Sequence, residues 1–148
     1  MFNDCGQLRN VHFSGMTSNN PINLKRAEYA ERMFRNCANL PSSDIISTVR
    51  SMSYLRNAAH MFEGTFIEDY PFFENGNNGL LPYLENAANM FYGCTGMDVD
   101  FGLIHDKFPV LAKGNFMFTS VIDGTGRWYS SLPSLYESVA MFADTAIQ

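Results

Sequence analysis

The dipeptide Met-Phe occurs six times along this 148-residue chain, at intervals of between 24 and 32 residues. The pairs are Met1-Phe2, Met33-Phe34, Met61-Phe62, Met90-Phe91, Met117-Phe118 and Met141-Phe142. Self-similarity with a period of 20–50 residues is the signature of repeat architectures. The spacing therefore predicts a stack of similar units rather than a fold in which every element occurs once.

The residues around each Met-Phe pair repeat as well, which makes a chance recurrence of the dipeptide an inadequate explanation. Counting each Met as position 0, position −9 is always large and apolar, and position +3 is always a turn-former. Position −6 holds Ala27, Leu55, Leu84, Leu111 and Leu135. Position −3 holds the small residues Ala30, Ala58, Ala87, Gly114 and Ser138.

Apolar residues that recur every three to four positions are typical of one face of a helix. Proline at position −8 in three copies suits the first position of a helix, where its missing N–H is not needed. Gly, Asn or Asp at position +3 suits the end of a helix. The pattern predicts helices near 24–35, 53–63, 82–92, 109–118 and 133–142.

A short segment of a different character follows two of these motifs. Residues 97–101 alternate apolar and polar side chains, and in residues 8–13 the apolar residues Val11 and Phe13 are two positions apart. Alternation with a period of two is typical of a half-buried strand. A helix and a short strand in each unit predict an α/β solenoid, a leucine-rich-repeat-like stack of about five units. We interpret residues 1–148 as a single repeat domain, a fragment of or module in a longer solenoid.

Three copies of the motif resemble a known family. Met1–Leu8, Met33–Leu40 and Met90–Cys94 are similar to the Met-Phe-x-Gly-Cys-x-x-Leu core of BspA-like leucine-rich-repeat surface proteins and related lipoprotein repeats. The resemblance implies a leucine-rich-repeat fold, a role in adhesion or surface recognition, and an extracellular or cell-surface location. The N-terminal sequence has no basic segment followed by an apolar one, so no signal peptide is visible in it.

Composition and motifs disfavour several other classes of protein. The net charge is −5 with only ten Lys and Arg, so binding to nucleic acid is not expected. No run of eighteen apolar residues occurs, so no membrane span is predicted. No catalytic motif and no closely spaced set of zinc ligands is present, so we expect no enzyme, no metal site and no cofactor.

Aromatic residues in two inserts are the predicted binding residues. Tyr70, Phe72 and Phe73 lie in the insert 65–81, and Trp128 and Tyr129 lie in the glycine-bearing segment 123–131, which is predicted to be a loop. Burial as loop anchors is the alternative interpretation. If exposed, these side chains suit contact with a protein or glycan partner, because Trp and Tyr are enriched at interface hot spots.

Two questions remain open at the level of sequence. The first is function: a non-enzymatic recognition or adhesion module is the leading hypothesis. The alternative is a structural subunit of a viral or cell-surface fibre, which self-associates or continues through ends that lack a polar cap. The second concerns the cysteines: Cys5, Cys37 and Cys94 occupy one position of the motif and are predicted to be reduced core residues, with a Cys5–Cys37 disulfide as the alternative.

Overall fold

A computed structural model describes residues 2–7, 24, 26–40, 52–67, 81–100, 104–121, 123–125 and 132–144. Within these ranges the regular elements are strand β1 at Asp98–Asp100, helix α1 at Ile104–Lys107 and strand β2 at Asp123–Thr125. The two strands are parallel, with Asp98 opposite Asp123 and Asp100 opposite Thr125. The remainder of the described chain is built from turns and single bridges.

The described residues of the five ranges predicted to be helices form successive tight turns instead. In the unit around Met61, the backbone N–H of Leu55 donates to Met52, that of Met61 to Ala58 and that of Thr65 to Phe62, each across three residues. The residue before the Met of each Met-Phe pair, from Met33 onward, has a positive φ, and a residue in this conformation interrupts an α-helix. Those residues are Arg32, His60, Asn89, Phe116 and Ala140, with φ between 49° and 58°.

A second residue with positive φ follows each Met-Phe pair, at the predicted turn-former. Those residues are Asp4, Asn36, Gly64, Gly93, Ser120 and Asp144. Gly, Asn and Asp tolerate the left-handed region better than other residues do. The left-handed conformation expected at this position is therefore present, but it lies within a run of turns and does not end a helix.

Successive units are joined by backbone hydrogen bonds in a constant register. The N–H of each motif Phe donates to the carbonyl of the next unit's Met, as in Phe34 to Met61 at 2.9 Å and Phe62 to Met90 at 3.0 Å. Parallel bridges connect the residues at position −4 of the five units, which are Tyr29, Asn57, Asn86, Lys113 and Glu137. Because the same atoms pair at each junction, equivalent side chains of neighbouring units lie one above the other.

The Met-Phe pairs within the described residues lie in the core, as predicted. Phe34, Phe62, Phe91 and Phe118 are fully buried, and Met33, Met61, Met90, Met117 and Met141 are buried with them. The rings form a continuous stack from Phe2 to Phe142, with centroids 5.5 to 5.9 Å apart and interplanar angles of 2° to 18°. The apolar residues at positions −9, −6 and −3 of the central units cover this stack.

The predictions for three segments between the motifs, two strands and one loop, have different outcomes. The segment 97–101 contains β1, so that prediction is confirmed. The segment 8–13 lies outside the described residues. The interpretation of 123–131 as a loop is wrong for Asp123–Thr125, which form β2 because the preceding unit offers β1 as a parallel partner. The solenoid class itself stays a prediction.

Candidate recognition surface

The five predicted binding residues, Tyr70, Phe72, Phe73, Trp128 and Tyr129, lie outside the described residues. Their role stays a prediction. The described units present a different set of exposed side chains, which the constant register aligns. We call the residues that occupy one motif position in successive units a row.

The most exposed apolar row of the central units lies at position −7 and contains Tyr54, Tyr83 and Val110. We call it the tyrosine row. The rings of Tyr54 and Tyr83 are stacked, with centroids 5.4 Å apart and an interplanar angle of 7°. The two tyrosines are 46% and 45% exposed, and Val110 is 37% exposed. Three neighbouring units thus keep apolar surface in contact with water at the same position.

The local turn explains why these side chains point outward. The N–H of Leu55 donates to Met52, and the N–H of Leu84 donates to Leu81, both at 3.1 Å. In each case the first and last residues of the turn are buried, whereas the tyrosine lies at the corner between them. Two inward anchors three residues apart therefore fix the outward direction of position −7.

A charged row lies two residues farther along each unit, at position −5. It contains Glu28, Arg56 and Glu85, whose side chains are all about half-exposed. Arg56 Nη1 lies 2.5 Å from Glu85 Oε1, and Arg56 Nε lies 3.8 Å from Glu28 Oε2. One guanidinium is thus shared by two carboxylates, and the charged row has a net charge of about −1 at neutral pH.

A polar cluster at positions −1 and +2 centres on the largely buried carboxylate of Glu63. Arg35 Nη2 lies 2.9 Å from Glu63 Oε1, and His60 Nδ1 lies 2.5 Å from Glu63 Oε2. The hydrogen bond and the charge of Glu63 raise the pKa of Arg35. Both Glu63 oxygens are occupied by these contacts with Arg35 and His60, which suits a structural tie rather than proton transfer to a ligand.

Sequence reasoning missed the tyrosine row and the charged row. A signal for both was present: aromatic residues occupy position −7 in two consecutive units, and acid, base and acid occupy position −5 in three. If the units were helices, the side chains at positions −7 and −5 would point in directions that differ from those they take in the turns. The rows become visible only when the units are aligned as stacked turns.

All three cysteines are free thiols, so the alternative of a Cys5–Cys37 disulfide is wrong. Cys37 and Cys94 are buried, and each Sγ donates to the carbonyl of a Phe in the preceding unit, Phe2 and Phe62 respectively, at 2.9 Å. Cys5 is exposed. The bridge does not form because the Cys37 thiol is directed into the stack at a backbone acceptor, away from solvent.

These environments predict different reactivities. Burial raises the pKa of Cys94 to about 12 and raises that of Cys37. Because the thiolate is the nucleophile, the protonated Cys94 thiol is unreactive at pH 8. We expect iodoacetamide to label Cys5 of the folded chain and to leave Cys37 and Cys94 unmodified, as read by peptide mass spectrometry. Comparable labelling of Cys94 and Cys5 in the folded chain would contradict this.

The same pKa shifts predict a loss of stability in alkali. The unfolded thiol ionises near pH 8.5, whereas the folded Cys94 thiol stays protonated to about pH 12. The folded state therefore binds more protons in this interval, and its free energy of unfolding falls as the pH rises from about 8.5 to 12. Urea titrations at several pH values between about 8.5 and 12 measure how steeply the free energy of unfolding falls with pH. C94S should make this fall less steep. An equally steep fall in C94S and the wild type would show that Cys94 is not its cause.

Among the described residues there is no helix long and apolar enough to cross a membrane, and no group of His, Cys, Asp and Glu is placed to hold a metal ion. Comparison with family models, curated proteins and solved structures finds no match to this chain. The resemblance to the BspA-like repeats therefore stays a prediction from the motif.

Proposed function

We propose that this chain is a non-enzymatic recognition module, a solenoid of stacked turn units that binds a protein partner through the tyrosine row and the charged row beside it. The same proposal includes location at a cell surface and an adhesive role, which rest on the motif resemblance. It also includes a contribution from the insert aromatics, which rests on the enrichment of Trp and Tyr at interfaces. The observation that carries it is the stacked, half-exposed pair of Tyr54 and Tyr83.

Two exposed aromatic rings in register favour binding over a purely structural role. Tyrosine supplies a large contact area with few rotatable bonds, and tyrosine and arginine are enriched among residues that dominate binding energy. Here Tyr54, Tyr83 and Arg56 lie in adjacent rows of two neighbouring units. Backbone hydrogen bonds between the units hold Arg56, and the turns closed at Leu55 and Leu84 hold the two tyrosines, so little ordering is needed when a partner binds.

The geometry of the rings favours a protein over a glycan. A sugar binds an aromatic side chain mainly by lying against the face of its ring. One face of Tyr54 and one face of Tyr83 are covered by each other. The ring edges and hydroxyl groups are not covered by this stacking, and they suit hydrogen bonds and side contacts with a polypeptide.

The test is the double variant Y54S/Y83S. Both side chains are about half-exposed, so the folded state should persist with a small change in stability. We expect the wild-type chain, immobilised, to retain a reproducible set of proteins from the cells that encode it or from their surroundings, and the double variant to lose that set. The readout is quantitative mass spectrometry of the retained proteins.

The matched control is Y136S, which removes an exposed tyrosine from position −5 of the last described unit. It should retain the same proteins as the wild type. Equal retention by wild type and the double variant would refute the tyrosine row as the binding site. Turnover of a small substrate that is abolished by one polar substitution would refute the non-enzymatic role.

An assembly subunit stays the alternative proposal. The observation that favours it is the uniform junction between units, since any further unit with the same register adds to the same backbone atoms. Sedimentation at increasing concentration separates the two proposals. Concentration-dependent growth of the particle supports assembly, and a constant monomer mass supports recognition alone.

A further inference from the structure

We draw no further inference here: the strongest candidate, the exposed surface patch of Tyr136 and Val139 on the last described unit, carries none because nothing in the structure shows what covers it.

Discussion

Replacing Phe91 by Ala is expected to lower the free energy of unfolding by about 3–5 kcal/mol, the range for removing a large aromatic side chain from a packed core. Phe91 is fully buried and stacks on Phe62 at 5.6 Å and on Phe118 at 5.5 Å. Its loss opens a gap in the middle of the ring stack and removes contacts from two units at once. Urea denaturation of wild type and variant, followed by circular dichroism, measures the difference.

The neighbouring residue provides the control. Tyr92 follows Phe91 directly but is 40% exposed. Its backbone carbonyl accepts a hydrogen bond from the N–H of Gly64 in the preceding unit, and this bond survives a change of side chain. We expect Tyr92→Ala to cost about 0.5 kcal/mol or less, as exposed substitutions usually do. Similar losses at the two positions would show that the assigned inward and outward directions are wrong.

Gly96→Ala is expected to be strongly destabilising. The backbone at Gly96 has a φ of 81°, which costs an L-residue about 1–2 kcal/mol. An added Cβ would also lie 2.8 Å from Phe66 Cε2 and 3.2 Å from the carbonyl oxygen of Ile67. Phe66 is 43% exposed, but the Ile67 carbonyl is part of the backbone that pairs with the next unit, through the bond from the Ile67 N–H to the Thr95 carbonyl.

Crowding of this kind typically adds about 1–3 kcal/mol, so the total expected loss is about 2–5 kcal/mol. Gly93→Ala separates the two contributions, because Gly93 has a φ of 63° and an added Cβ there meets nothing within 4 Å. Thermal or urea denaturation of both variants should give Gly93→Ala only the conformational cost. A Gly93→Ala loss as large as that of Gly96→Ala would exclude the contact with Phe66 and Ile67 as the cause.

The repeat and its inward positions could be predicted from the sequence. Both depend on burial, and apolar residue types indicate which positions are buried. Met and Phe recur in one phase, and a large apolar residue recurs nine positions before each Met. The burial of Phe34, Phe62 and Phe91 confirms that phase. The strand within 97–101 was predictable for the same reason, since alternation of apolar and polar residues reflects which side is buried.

The candidate recognition surface was not predicted, because it depends on which outward positions coincide between units. Tyr54 and Tyr83 are 29 residues apart and form a stacked pair only through the register of the backbone. The sharing of Arg56 by Glu28 and Glu85 likewise requires three consecutive units in contact. The insert aromatics that sequence reasoning selected were chosen because they fall outside the motif, whereas these residues fall inside it.

By itself the sequence determined the number and phase of the units and the residues that form their interior. Only the tertiary structure decided that the units are turns rather than helices. An α-helix turns by about 100° per residue, so apolar residues spaced strictly by three drift around its surface and leave a single face after about nine residues. Successive three-residue turns keep that spacing on one side, and left-handed residues such as His60 are tolerated because the adjoining units bond to the same backbone.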